Sequence, residues 1–164
     1  MTTSRAERLV QLDDDMVQVL SQSPPETGHR RIIQLSTTSA DGRPHLALLG
    51  DAELHAVDAT TVRLLVWGTS TTAANISERP QLLVSFVHDG SFVVIDLDVD
   101  TTRWVDVLGR KQLMASATVA GARRDRVPYA AITSGPTFTL LDESVQERWQ
   151  LSTGLLRSLD AEDD

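Results

Sequence analysis

The dipeptide Asp89-Gly90 constrains this chain more than any other feature of its sequence. It stands between two apolar runs, Gln81 to His88 and Ser91 to Val99. Asp-Gly supplies the positive backbone angles that a two-residue hairpin turn requires. The second run alternates strictly. Val93, Ile95, Leu97 and Val99 share one face, and Val94, Asp96, Asp98 and Asp100 share the other. A period of two is that of a half-buried strand. An antiparallel hairpin is therefore predicted near the middle of the chain.

Strand-like segments flank it. Upstream lie Arg31 to Thr38, the turn Ser39-Ala40-Asp41-Gly42, and Pro44 to Val57, which should bend near Gly50-Asp51. Thr61 to Trp67 follows, with Val62, Leu64 and Val66 on one face. Downstream lie Leu113 to Ala122 and a shorter candidate, Pro136 to Leu141. About six antiparallel strands at short spacing predict a closed or nearly closed barrel, which removes exposed sheet edges.

Helical periodicity appears at both ends and once between strands. Leu9, Leu12, Met16, Val19 and Leu20 form an apolar stripe over Ser4 to Ser21, with Asp13-Asp14-Asp15 mostly on the solvent side. Ser23-Pro24-Pro25 should stop that helix, and Gly28 punctuates the approach to the first strand. Thr69 to Glu78 reads as a short helix with Ser70 or Thr71 as N-cap, ended by Arg79-Pro80. Glu143 to Leu159 reads as a closing helix with Val145, Trp149, Leu155, Leu156 and Leu159 on its apolar side, although Gly154 disfavours it. Asp160 to Asp164 should fray. The organisation predicted is one domain over residues 1–164: a helix at about 4–21, a barrel at about 31–122, and a strand and helix at about 136–159.

Charge and composition narrow the function. The net charge of -8 opposes binding to nucleic acid, whose backbone needs a basic footprint. It equally opposes an anionic membrane surface. With 4% aromatic residues, stacking on single strands has little to work with. No cysteine is present, which excludes disulfides, thiolate metal sites and thiol catalysis. No apolar run approaches the roughly 20 residues of a membrane-spanning helix, and the first residues lack a signal-peptide core. A cytoplasmic location is the expectation.

Thr69-Ser70-Thr71-Thr72 is the strongest candidate site. Four hydroxyl side chains stand where a strand turns into a helix. The first turn of a helix leaves backbone N–H groups unpaired and carries partial positive charge, so an anion is stabilised there. The plainer alternative is that the cluster only caps the helix. The run from Leu65 through Ile76, followed by Arg79-Pro80 and the strand Gln81 to His88, resembles the FMN-binding split barrel of the pyridoxamine 5′-phosphate oxidase-like proteins. The turn Asp41-Gly42-Arg43-Pro44 before a strand matches as well. The resemblance covers roughly Arg30 to Ala122. It implies a mainly β fold with flanking helices (α+β), built on a six-stranded antiparallel split β-barrel of Greek-key type. It also implies a homodimer with FMN in a cleft at the interface, and a small-molecule substrate.

Carried over by position, the resemblance places Thr69, Ser70 and Thr72 at the flavin phosphate, with Asn75 beside them. His45, Leu46 and Ala47 would run along the isoalloxazine ring, and Trp67 would lie near the cleft floor. Two departures stand out. The family's oxidases carry a basic residue near the position of Thr72, and an Arg or Lys on the strand that here holds Leu46 to Gly50. The cluster that recognises pyridoxal phosphate is also not recognisable, so that oxidase activity is not expected. Arg43, Arg79, Arg110 or Lys111 would have to compensate, the last two from the partner subunit. Two other outcomes remain open at this level: a deazaflavin-dependent reductase, or a cofactor-free dimeric module that senses a ligand.

Other candidates carry less. Gly109-Arg110-Lys111-Gln112 is a local basic patch that can equally be a solvated loop. His29, His45, His55 and His88 have no metal-ligand spacing, and no metal site is expected. Asp96, Asp98 and Asp100 read as the wet face of a strand. No nucleophile elbow, P-loop or dinucleotide fingerprint is present.

Overall fold

The computed structural model describes residues 9–23 and 29–158. Among these residues are eight strands and three helices. Helix α1 is Asp14–Ser21, followed by β1 (Arg30–Thr38) and β2 (Pro44–Gly50). A single 3₁₀ turn, Asp51–Glu53, leads to β3 (Leu54–Ala56) and β4 (Thr61–Trp67). Helix α2 is Thr71–Glu78. Then come β5 (Gln81–His88), β6 (Ser91–Val107), β7 (Arg110–Asp125), the short β8 (Thr137–Phe138) and helix α3 (Ser144–Arg157). All pairings are antiparallel, in the order β2-β1-β5-β6-β7-β4-β3, with β8 on β1.

The expected hairpin is present. β5 and β6 pair in register from Gln81 opposite Asp98 to His88 opposite Ser91. Asp89 and Gly90 take φ of 45° and 67°, the left-handed pair of a two-residue turn. Val93, Ile95 and Leu97 are buried as the alternation requires, while Asp98 and Asp100 are exposed. Val94 departs from the pattern and is buried too.

Eight strands stand where six were expected, and their path does not close, because β2 and β3 end it. The segment from Pro44 to Val57 bends where Gly50 and Asp51 predicted, and the bend splits it into two strands. Thr137–Phe138 adds the eighth. The larger surprise is length. β6 and β7 run to 17 and 16 residues, against a usual strand of about 3–10. Their ladder continues to Val107 opposite Arg110, so Arg110 and Lys111 begin a strand and are not a loop. Leu108 and Gly109 form the turn, with φ of 52° and 73°. The outer half of β6 escaped the sequence reading because it is a solvated ribbon: Asp100 to Trp104 are all exposed, so no burial imposes alternation.

One apolar cluster gathers Leu12, Met16, Leu35, Leu64, Phe86 and Ile95 with their neighbours. Helix α1 closes one end by burying Met16 and Leu20. It starts later than its apolar stripe suggested. Residues 4–8 lie outside the described residues, as do Pro24, Pro25, Gly28 and everything from Leu159 onward. Leu9, expected in the helix, instead makes an extended bridge with Ala122.

The acidic triplet has a sharper role than solvation. Asp13 is the N-cap of α1, and its carboxylate accepts from the Met16 N–H at 2.7 Å. The Arg124 guanidinium donates to Asp13 twice, at 3.0 Å each, and to Asp15 at 2.8 Å. His88 Nε2 lies 3.1 Å from Asp15. The helix is thus latched to the β5–β6 and β7 strands. Asp13→Ala removes cap and latch together and is expected to cost about 1–2 kcal/mol in a urea titration at pH 7. The Arg124 bonds hold the Asp13 carboxyl below its usual value of 3.8, and the His88 and Arg124 bonds do the same for Asp15. A depressed carboxyl stabilises above its unfolded value and loses that contribution as pH falls below it. The gap between wild type and Asp13→Ala should therefore narrow below about pH 4. A gap that is constant down to acid unfolding would remove the latch from the account.

Candidate functional site

The loop between β4 and α2 builds on Gly68. Its N–H donates to the Lys111 carbonyl at 3.1 Å, and a Cβ on Gly68 would come within 2.7 Å of that same oxygen. Only glycine lets β4 leave the sheet so close to β7. Ser70 then caps α2. Its hydroxyl accepts from the Ala73 N–H at 3.1 Å and donates to the Trp67 carbonyl at 2.6 Å. The capping alternative weighed for this cluster is therefore what Ser70 does. Its hydroxyl hydrogen is already committed inside the loop. The N–H groups of Thr71 and Thr72 are different. As the first two helical residues they have no intrahelical acceptor, and no other acceptor meets them among the described residues.

Of the two, Thr72 lines a cleft of about 410 Å³, and Thr71 precedes it on the exposed side of the helix start. Ala47, Leu48 and Gly50 of β2 form one wall, Trp67, Ser70 and Thr72 a second, and Arg148 and Trp149 of α3 a third. Of the residues proposed from sequence, Ala47, Trp67, Ser70 and Thr72 line this cleft together. The others are placed elsewhere. Leu46 is exposed on the edge strand β2, His45 is half-buried beside it, and Thr69 is exposed at the tip of the loop. Asn75 is buried, and its amide donates to Thr37 Oγ1 at 3.0 Å, so it ties α2 to β1. The Arg110 guanidinium lies 5.1 Å from the Trp67 ring centroid, and Lys111 Nζ lies 4.3 Å from that of Trp104.

The residue that sequence reasoning missed is Arg148. Its guanidinium also sits 5.1 Å from the Trp67 ring. A cation near an aromatic face is attracted by the ring's quadrupole, so Trp67 gathers two guanidinium groups, of which Arg148 lines the cleft. Arg43 and Arg79 do not line the cleft within this chain: Arg43 pairs with Asp41 at 3.6 Å and Arg79 with Glu78 at 3.0 Å. Arg148 gave no local signal, since it is one charge on an amphipathic helix far along the chain.

Glu53 completes the electrostatics. It lines the cleft, and its carboxylate accepts from the Gly50 N–H at 2.7 Å. Burial pushes its carboxyl above the usual glutamate value, against the pull of the Gly50 N–H and the Arg148 charge. Gly50 itself leaves room for Trp149: a Cβ there would lie 3.2 Å from the indole. Phe138 of β8 packs edge-on against the same indole, with centroids 5.4 Å apart. The arrangement sets the start of α2, the Arg148 cation and the Glu53 carboxyl around a cleft whose other walls are largely apolar. The first two, beside apolar walls, are what a ligand with a flat apolar body and an anionic tail requires. Among the described residues no three His, Asp or Glu side chains converge as a metal would need. Likewise none of the described helices is long and apolar enough to cross a membrane.

No protein-family model matches the chain. A protein of Bacillus subtilis (strain 168) described as the uncharacterized protein YclD is 24% identical over 140 residues, spanning 85% of this chain and 91% of its own. Among solved structures, a candidate pyridoxamine 5′-phosphate oxidase from Lactobacillus delbrueckii superposes with a TM-score of 0.55 at 12% identity, over 71% of this chain and 97% of that one. HupZ of Group A Streptococcus, in a single-substitution variant, superposes with a TM-score of 0.52 at 12% identity, over 69% and 98%. The fold is that of the pyridoxamine 5′-phosphate oxidase-like split-barrel proteins, as the sequence resemblance implied.

Proposed function

We propose that the chain is a flavin-binding split-barrel protein, that its cleft takes FMN, and that it acts as an oxidoreductase on a small molecule. The six strands of seven or more residues would be the Greek-key barrel, with β3 and β8 as additions, in one domain. The observation that supports the reading is that one cleft is lined both by Thr72, whose N–H has no acceptor among the described residues at the start of α2, and by Arg148. Dianionic phosphate needs that combination of oriented donors and positive charge. The likeness in fold to the L. delbrueckii protein supports the same conclusion.

Each residue has a part in this reading. The α2 N-terminus and Arg148 bind the phosphate. Trp67 orients Arg148, with Arg110 beside it. Ala47 and Leu48 of β2 lie along the ring, and Trp149 and Phe138 keep water from its far edge. Bound flavin supplies hydride or electron transfer, so no side-chain acid or base is needed for the redox step. The cleft is open, and the edge strand beside it exposes Leu46 and Leu48, each 60% accessible. A second copy of the chain is proposed to cover that edge as a homodimer and close the cleft.

One observation favours a cofactor-free module instead: the Ser70 hydroxyl is satisfied within its own loop. The visible spectrum of the purified protein, followed by fluorescence titration with FMN and with a deazaflavin, separates the readings. Saturable quenching by FMN is expected, with a dissociation constant in the micromolar range, about 1–10 μM. Tighter binding of the deazaflavin would move the proposal to a deazaflavin-dependent reductase. Quenching by neither ligand would leave the cofactor-free module.

A further inference from the structure

We propose that Glu53, a carboxyl in the wall of the cleft beside Arg148, links anion binding there to a proton, so that a phosphate is held tightly only when Glu53 is protonated. The inference rests on the reading of the cleft given under the proposed function and adds the regulation of that site.

Placement is the first argument. Glu53 lines the same cleft as Thr72 and Arg148. It is half-buried, and one carboxylate oxygen accepts from the Gly50 N–H at 2.7 Å, which anchors the group at the end of β2. The other oxygen has no partner among the described residues and is not one of their enclosed polar atoms. Glu53 thus keeps one oxygen open. An anion drawn to Arg148 enters a space that already holds a carboxyl.

The state of Arg148 is the second. Its contact is the Trp67 ring, and it forms no ion pair among the described residues, with Glu53 or with any other carboxylate. Its charge nevertheless reaches Glu53. Burial pushes the Glu53 carboxyl up, and the Gly50 N–H and the Arg148 charge pull it down less strongly. Ionised Glu53 therefore offsets part of the Arg148 charge and repels an incoming dianion. Neutral Glu53 does neither. The complex prefers the protonated form, so the carboxyl titrates higher with the anion bound than without it. Affinity for the anion falls as pH rises between those two values.

The other charges around this turn lead elsewhere. Asp51, on the same turn, pairs with Arg31 of β1 at 3.9 Å, and the Arg30 charge acts on Asp51 as well. Arg63 of β4 donates to the Leu156 carbonyl at 3.1 Å. His55 of β3 has an interaction of its own, and His45 stands near the start of β2, away from its Gly50 end. On α3, Glu147 is exposed and Arg157 donates to the Ser21 carbonyl at 2.7 Å. Among the described residues, Arg148 is the charge that acts on Glu53.

The test titrates the full chain with FMN and with riboflavin by fluorescence, between about pH 5.5 and about pH 8.5, in wild type and in Glu53→Gln. The FMN phosphate itself titrates near about pH 6, but it does so against both proteins alike. At about pH 8, Glu53→Gln is expected to bind FMN about tenfold more tightly than wild type, and the gap should close as pH falls. Riboflavin, without a phosphate, should show a gap within about twofold. A second measurement needs no variant. The ¹³C carboxyl resonance of Glu53 in the wild-type chain is followed against pH, free and with each ligand at saturation. FMN should raise its midpoint by about one pH unit, and riboflavin by less. A gap that does not change with pH, or an equal rise of the midpoint with both ligands, would overturn the proposal and leave the cofactor reading standing. FMN binding to neither protein at any pH would overturn both.

Discussion

Replacing Arg148 by glutamine is expected to weaken FMN binding about 10- to 100-fold while leaving riboflavin affinity within about twofold of wild type. The asymmetry follows from where the charge lies. Arg148 projects from α3 into the cleft that holds the α2 N-terminus, and Trp67 holds its guanidinium. A hydrogen bond to a charged group contributes about 1.5–3 kcal/mol, and one unit of tenfold is about 1.4 kcal/mol. Riboflavin has no phosphate, so it should not respond to the missing charge. Glutamine retains much of the aliphatic stem, which keeps loss of packing out of the comparison. Fluorescence titration of both ligands against both proteins measures it. Equal losses for FMN and riboflavin would make Arg148 a packing residue. No loss for either would place the phosphate away from α3.

The second large effect falls on stability. Gly68→Ala is expected to cost about 2–3 kcal/mol in a urea titration and to abolish the two-ligand difference above. Its Cβ would lie 2.7 Å from the Lys111 carbonyl oxygen and 3.0 Å from the Trp104 ring. An aromatic ring can rotate away. The carbonyl cannot, because it belongs to β7 and accepts the Gly68 N–H itself. Relief therefore requires β4 and β7 to part where the loop into α2 begins. Gly154→Ala, with open space around it, is the matching control and should not destabilise. Equal unfolding midpoints for wild type and Gly68→Ala would show that the close approach is soft, and would remove the reason for glycine there.

How much of this was legible in the sequence depends on whether a residue's role is local. Asp89-Gly90 specified its turn completely, because the left-handed angles depend on two residues and little else. Strands β4 and β5 were bounded correctly because turn and helix-stop residues punctuate them, although three consecutive residues of each are buried. The cap was narrowed to Ser70 or Thr71, and Ser70 fills it, because capping reaches only three residues ahead. The outer half of β6 was missed for the opposite reason: Asp100 to Trp104 are exposed and held by pairing with β7 and not by a core. Asn75 was placed at the phosphate by position in the resembled family. Its actual partner, Thr37, lies on β1, and no local pattern announces a contact that distant. Arg148 and Glu53 were invisible for the same reason, since the cleft assembles from β2, the loop before α2, and α3 only when the chain is folded. The expectation that a basic residue must replace the one absent at Thr72 was sound as chemistry. The candidates considered were Arg43, Arg79, Arg110 and Lys111, whereas the cation that lines the cleft among the described residues is Arg148 of the C-terminal helix.

The location of the flavin tests the central claim most directly. Amide and indole resonances of the labelled protein, recorded as FMN is added, report every contact at once. The account predicts that the Thr71 and Thr72 amides and the Trp67 and Trp149 indoles shift together and saturate with the same affinity. Shifts that saturate elsewhere while those four stay still would contradict it.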